Sequence, residues 1–561
     1  MLKNHQINID NVILTIILSL FSILFTMNIG FLLGSSIKNP ILYVFAILLS
    51  IIILKLFRIK LLEIFFCFLL AAISLIFSSF FYDLSNDGTW YHQNTIIALK
   101  NGWNPIYEKY TLLDAQLYVQ HYAKGHEIIS AAIYFLSNNI ELGKSINLLI
   151  IFACLLFSYR LLGDYFPKKK AALYAVLITL NPVSITQIFT YYIDGFFYNT
   201  LVIIIIATIL YIKSFNPKYA AILIMSLCIF GTLKFTSIPV IAVLFIVVLG
   251  YAFMENKIKN IVTFKNFSLT VIPILILSVH PYFTNIKDGK SIFYPAFDKN
   301  SNVLNVHLTK SIQEKNRITK LGISLFSKTG IPEKTIKSGL KIPYTFNISE
   351  VKKLSSPTIV LGGFGIFFSA FFINSIIILI ACLFLKIKTK TASIILLILA
   401  SFVFYSLIFP EPWLARILPQ FYLIPILILL YYESSYTKIK WLSYLKHITL
   451  VCLVTNFVLF IMVSFFFNTL YSLKTHFMIS ELKKHDAVYC VQEFGYKSNL
   501  QRLQDNNIRY KLCNLDNEQE KNLIYFEPKN TKISTRVKAK INYNNQPKIL
   551  NLLDQIFIKI Q

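Results

Sequence analysis

Acidic residues are scarce in this chain. Asp and Glu number 27 against 54 Lys and Arg in 561 residues, and only 14% of the chain is charged. With 56% hydrophobic residues gathered in blocks about as long as a bilayer is thick, that shortage excludes an ordinary soluble protein. Metal-type cysteine spacing is missing, as are a glycine-rich phosphate loop, a Gly-x-Ser-x-Gly elbow and a usable internal repeat. Of the seven cysteines, Cys67, Cys154, Cys228, Cys382 and Cys452 fall inside apolar blocks, where cysteine serves as a small apolar filler. Cys490 and Cys513 lie in a polar tail, where an oxidising compartment would let them pair; the sequence leaves their geometry open. The net charge of +27 would suit nucleic acid, but many of the lysines sit in short loops between apolar blocks. Membrane orientation accounts for them more simply, and a nucleic-acid partner is set aside.

What the chain has is apolar runs. The first, 13–33, lacks the small-residue cleavage pattern of a secretory signal and is too long for a signal core, so it is expected to stay as a helix. Later runs include 171–188, 267–283, 359–385, 417–432 and 448–467. The length criterion gives about 13 transmembrane helices in all. The expected fold is an all-α polytopic membrane protein with a small C-terminal α/β extracytoplasmic domain.

Short loops rich in Lys and Arg stay in the cytoplasm. Alternate loops hold Lys55, Arg58 and Lys60; Lys168, Lys169 and Lys170; Lys213 and Lys218; Lys257, Lys259 and Lys265; Lys386, Lys388 and Lys390; Lys438, Lys440 and Lys446. The opposite loops hold little beyond Lys38, Lys234 and Arg416. One topology satisfies the whole chain: a multi-pass protein of the inner (plasma) membrane, N-terminus cytoplasmic and C-terminus outside. It puts three polar segments on the outer face: 82–145, 284–358 and 471–561.

The first outer segment reads as amphipathic pieces at 90–99 and 127–136. The second piece is too short to span and is expected at the interface, with Trp90 and Trp103 at headgroup depth. After Asp298 the second outer segment, through Arg317 to Tyr344, is polar and suited to covering a cavity. In the third, strand-like alternation at 486–492, 508–513 and 523–526, then an amphipathic helix at 549–560, predicts the small α/β domain.

Chemistry has few places to live in so apolar a chain. Asp83, Asp87, Tyr91 and His92 follow an apolar run directly. A carboxylate here can act as general base toward a hydroxyl, and a second one can hold a metal or shift its neighbour's pKa. Capping the next helix is the alternative for Asp87, and equally for Asp194 at the outer start of a later span. Lys234, in a tight outer turn, either snorkels or meets an anion. Arg416 opens a span from the outer side, and its planar fork suits a lipid phosphate; pairing with Glu411 is the alternative. His307, Glu314 and Arg317 read as solvated surface.

The ordered elements Asp87-x-x-x-Tyr91-His92, Gly102-Trp-Asn-Pro105, Asp194-Gly195, Lys234-Phe-Thr236, Phe293-Tyr294-Pro295, and Arg416 with a proline following resemble the GT-C glycosyltransferases that use lipid-linked sugar donors. The resemblance covers roughly residues 60–435. Gln93-Asn94 stands where many relatives have Leu-Pro. The resemblance implies a polyprenyl-phosphate sugar donor bound from the membrane lipid, and a glycan, lipid or protein acceptor. It also implies a catalytic base in the first outer loop. By position that base is Asp87, with Asp83 in reserve, and the pair is the candidate site for a divalent metal (Mg or Mn). Lys234 and Arg416 are the candidates for the donor phosphate, and Tyr91, His92, Asp194 and Tyr294 for the substrate. In these terms residues 1–58 are additional N-terminal helices, 59–470 the GT-C-like transmembrane core and 471–561 the outer domain. An O-antigen or capsule polymerase or ligase is the competing enzyme. A lipid-linked glycan flippase or other transporter is the alternative of another class, although transporters tend to bury polar groups at mid-membrane.

Overall fold

Inside a bilayer, backbone amides and carbonyls can be satisfied only within the chain, so each apolar run is committed to helix. The computed structural model describes residues 7–112, 115–257, 264–296, 298, 310–330, 339–359, 361–387, 389, 392–408, 414–495, 497–519, 523–526, 531–534 and 546–560. Its helices of six or more residues begin with α1 (Ile9–Leu32), α2 (Pro40–Leu56), α3 (Leu61–Phe80), α4 (Gln93–Lys100), α5 (Gln116–His121) and α6 (Gly125–Ser137). They continue with α7 (Ser145–Leu162), α8 (Lys168–Thr179), α9 (Pro182–Gln187), α10 (Asp194–Ser214), α11 (Pro217–Gly231), α12 (Ser237–Met254) and α13 (Phe264–Leu277). The last are α14 (Arg317–Phe326), α15 (Phe368–Phe384), α16 (Ala392–Ile408), α17 (Leu423–Glu433), α18 (Lys440–Lys483), α19 (Lys497–Asp505) and α20 (Lys548–Ile560).

Local sequence explains where several of these start. Asn-Pro opens α2, α9 and α11, and the side chains of Asn39, Asn181 and Asn216 accept from the Ile41, Ser184 and Lys218 amides at 3.1, 2.7 and 2.9 Å. Asparagine supplies the cap, and proline at the first helical position gives up an amide that has no partner anyway.

Among the described residues six helical stretches are long and apolar enough to cross a membrane, and α2, α11, α15 and α16 are apolar but shorter. The count falls below the expected spans because several runs are broken. Asn181-Pro182 separates α8 from α9, and Pro419–Tyr422 forms a tight 3₁₀ turn ahead of α17. α13 gives way to a wider turn, Val279–Phe283, in which His280 is not helical. Proline cannot donate to the preceding turn, and non-helical backbone at such depth is tolerated where it borders a cavity. On the topology above, all three breaks lie toward the outer end of the bundle.

Two placements differ from expectation. The 127–136 piece is not an open surface helix: α6 packs against α4 and α1, and Ile128, Ile129, Ala131, Ala132 and Tyr134 are buried. α4 from the same loop and α1 from the bundle supply an apolar cover that the sequence pattern could not reveal. The 471 boundary also falls inside a helix, because α18 runs unbroken for 44 residues, with no proline or glycine to stop it. At 1.5 Å per residue that is about 66 Å, roughly twice the hydrocarbon core, so α18 leaves the membrane as a stalk.

Beyond α18 stands a four-stranded sheet of β1 (Tyr489–Glu493), β2 (Tyr510–Leu512), β3 (Leu523–Phe526) and β4 (Thr531–Ser534), in the order β2-β1-β4-β3. β1 pairs parallel with β2 through the α19 crossover and antiparallel with β4, which pairs antiparallel with β3. Tyr489, Val491, Leu503, Ile524 and Ile533 form its core together with Tyr82. Cys490 and Cys513 are disulfide-bonded. α20 returns to α18, where Leu550 packs on Leu470 and Phe477 and Lys474 pairs with Asp554 at 2.6 Å.

Candidate active site

The chain leaving α3 at Phe80 turns at once. Asp83 Oδ1 accepts from the Ser85 amide at 2.8 Å and hydroxyl at 2.6 Å, and Oδ2 accepts from the Tyr191 amide at 2.8 Å. A β-carbon at Gly88 would collide with Ser85 Oγ and Asp83 Oδ2, so a larger residue there has to displace the Asp83–Ser85 hydrogen bond. The backbone then enters the helical turn Gly88–His92 and passes into α4. Asp87 precedes that turn but makes no capping hydrogen bond. Its Oδ2 instead accepts from Arg416 Nη1 at 2.9 Å.

Arg416 lies in the turn ahead of Pro419–Tyr422, its guanidinium 5.2 Å from the centre of the Tyr192 ring. Asp194, at the first position of α10, likewise does not cap; it pairs with Lys234 and accepts from Gln187 Nε2 at 2.9 Å. Arg416 acts electrostatically on both Asp194 and Lys234. Burial pushes the Lys234 ammonium down, against the pull of Asp194. Four residues from distant parts of the sequence, Asp87, Asp194, Lys234 and Arg416, thus form one balanced group of two anions and two cations. Glu411, the other partner considered for Arg416, lies outside the described residues, as does His307.

Aromatic rings line this group. Tyr91 stacks on Tyr118 at 4.9 Å and meets Tyr122 edge-on at 5.8 Å, while the Tyr192 hydroxyl accepts from the Asp87 amide at 3.4 Å. Burial pushes the Tyr91, Tyr118 and Tyr122 hydroxyls up, and the Asp87 charge pushes them further.

The remaining candidates sit elsewhere. His92 is buried, with Nδ1 at 2.6 Å from Glu127 Oε1, tying the Gly88–His92 turn to α6. Burial alone would raise Glu127, but the bond to His92 and its charge hold the carboxyl low. Tyr294 touches His121 edge-on at 4.9 Å, and its carbonyl accepts from Asn285 Nδ2 at 2.9 Å. Those contacts join it to α5 rather than to the charged group.

Asp83 belongs to a second, buried network that sequence reasoning missed. Its amide donates to Glu141 Oε2 at 3.0 Å and its carbonyl accepts from Arg502 Nη2. Glu141 pairs with Lys144 and with Arg502 Nε, the latter at 2.7 Å. Burial raises the Asp83 carboxyl, against the Ser85 hydrogen bonds. A divalent ion shared by Asp83 and Asp87 does not fit this arrangement. Both Asp83 oxygens are taken up by Ser85 and Tyr191, and Asp87 already faces a guanidinium. Among the described residues no group of three or more His, Cys, Asp and Glu side chains has metal-site geometry.

An apolar cavity of about 460 Å³ lies between α10, α11, α12 and α13, lined on α10 from Ile204 to Ile212 and on another side by Ile394 and Ile398 of α16. Its lining on α12 runs from Ile238, four residues after Lys234, to Tyr251. That is about 20 Å of helix, most of the depth of a bilayer core.

No family model and no curated protein matches this sequence. Among solved structures the chain is similar to ArnT from Cupriavidus metallidurans, crystallised bound to undecaprenyl phosphate. The identity is 10%, the TM-score 0.45, and the match covers 80% of this chain and 85% of that one.

Proposed function

We propose that this protein is an integral membrane glycosyltransferase. It transfers a sugar from a polyprenyl-phosphate carrier to a hydroxyl of a glycan, lipid or protein acceptor on the outer face of the membrane, with Asp87 as the base. The observation that carries this reading is the charged group of Asp87, Arg416, Asp194 and Lys234, in a bundle that also holds an apolar cavity whose lining on α12 begins four residues after Lys234. A molecule with an anionic head and an isoprenoid tail matches both parts. The order of motifs shared with GT-C enzymes supports the same donor. The disulfide between Cys490 and Cys513 supports an oxidising, extracytoplasmic setting for the tail.

The chemistry follows from the pairing. With no donor bound, each cation is neutralised by a carboxylate. An arriving phosphate competes for Arg416 and Lys234, whose geometry and charge suit its oxygens. Drawn toward the phosphate, Arg416 releases Asp87 Oδ2 to face the acceptor hydroxyl. The acceptor oxygen then bonds to the anomeric carbon, the bond from that carbon to the phosphate oxygen breaks, and the acceptor proton passes to Asp87. The departing carrier phosphate gains a negative charge, which Arg416 and Lys234 stabilise. Asp83 holds the loop in shape without touching the reactants.

The Asp87→Asn variant tests the assignment. The glycan modification is expected to disappear from cells even when expression is raised so that the amount of inserted variant, lowered by the unpaired Arg416, equals that of the unsubstituted protein. Unchanged glycan in that variant would sink the role of Asp87.

A further inference from the structure

Part of the second outer loop has its polarity inverted. In the stretch 339–350 the apolar residues Leu340, Ile342, Tyr344, Phe346 and Ile348 are each more than half exposed, with Leu340 at 71% and Ile342 at 70%. Lys341 between them is 7% exposed and turned inward to an ion pair with Glu350, whose Oε1 accepts from the Thr329 amide at 2.9 Å. At the start of α14 Ile318 is 71% exposed and Lys320 only 6%, while Leu321, Ile323 and Leu325 farther along pack inward. A loop surrounded by water is built the other way, with lysine outside and isoleucine within. Up to Tyr344 the sequence reads as polar cover for a cavity, and the segment instead exposes these large apolar side chains, beside the polar Thr345, Asn347 and Ser349.

Two contacts fix its depth. The Tyr344 hydroxyl donates to Asn374 Oδ1 at 2.8 Å, and Asn374 is the seventh residue of α15. That lies about 9 Å along the helix axis from its start. Arg317 Nη1 donates to the Leu407 carbonyl at 3.3 Å, near the end of α16. Both α15 and α16 are among the apolar helices of the bundle, and Ile373 and Ile377, flanking Asn374, are exposed on the bundle's apolar outside. The inverted segment therefore continues a lipid-facing surface.

We infer that residues 339–348, with Ile318 at the start of α14, are embedded in the outer leaflet, and that their partner is bilayer phospholipid. Leu340, Ile342 and Phe346 enter the upper acyl chains. Tyr344 sits at headgroup depth, and Arg317 snorkels toward the phosphates. Lys341 turns inward because no water is available on the outer side. The inference is independent of the reaction proposed above.

Bimane attached to Ile342→Cys, Phe346→Cys and, as a polar control, Ser349→Cys tests this in phosphatidylcholine nanodiscs. Signal from label taken up by the unsubstituted protein is subtracted. Lipid carrying a doxyl spin label near the top of the acyl chain is expected to quench positions 342 and 346 severalfold more than 349. Equal quenching at all three positions would overturn the inference and assign the patch to water or a protein partner. Ile342 and Phe346 are both largely exposed, so neither change removes core packing, and each site reports separately. A charged maleimide reacting at 342 as fast in nanodiscs as in detergent would also overturn it.

Discussion

At the scale of single residues, the Asp87–Arg416 pair is most sensitive to losing one member. The side chains are 12% and 17% exposed, so a lone charge left there has little water to turn to. Arg416→Gln is expected to lower stability by about 3 kcal/mol, while Asp87→Asn combined with Arg416→Gln loses less than Arg416→Gln alone, because no charge is stranded. Thermal unfolding of the four proteins in one detergent reads the coupling, and strictly additive losses would show that the two do not interact. Much of this group was legible in the sequence. Asp87, Asp194, Lys234 and Arg416 stood out as charged residues at the outer ends of apolar runs, where a charge without a purpose is expensive. Their capping alternatives fail for a physical reason: a cation within reach binds a carboxylate more strongly than a helix amide does. Tyr118, Tyr192, Glu141 and Arg502 were not legible. Tyrosines are common in this chain, and Arg502 meets Asp83 across 419 residues, a distance that no local pattern spans.

At the scale of elements, hydrophobic runs foretold helices well and their interruptions poorly. Run length alone cannot show that Asn181-Pro182 or Pro419 will end a helix within the bundle, since tertiary neighbours decide whether the freed carbonyls find partners. α6 shows the reverse failure. Its amphipathic pattern suited a membrane surface, but α4 and α1 were there to cover it. α19 depends most visibly on a single contact set: Arg502 is 1% exposed and bonds Glu141, Asn499 and the Asp83 carbonyl. Arg502→Gln leaves Glu141 one cation short and the Asp83 carbonyl without its donor. A loss of about 3 kcal/mol is expected, with faster proteolysis of the tail beyond α18. An unchanged melting point would mean that α19 is held by its apolar contacts alone.

For the whole molecule, the two ends of the bundle differ in chemistry. One carries the charged group, the tyrosines and the sheet domain. At the other, Glu433 gathers Lys170 and Lys446 at 2.9 and 2.8 Å, joining α8, α17 and α18 among the lysine-rich loops. If the first end is outside, an impermeant thiol reagent applied to intact spheroplasts modifies Lys109→Cys and spares Lys169→Cys. The opposite pattern would invert the topology. Both positions are exposed, whereas Ser85, beside the candidate base, is too buried to report.

The length of α18 has a geometric consequence for how such a chain can vary. A continuous helix converts residue number into both height and angle, about 1.5 Å and 100° for each residue. Deleting one residue between the bilayer and Lys483 would lower the sheet domain only slightly but swing it by more than a quarter turn. Arg502 would then point away from Asp83 and Glu141. The stalk therefore works as an indexing shaft, and its length can change only in steps that return the domain to the same bearing.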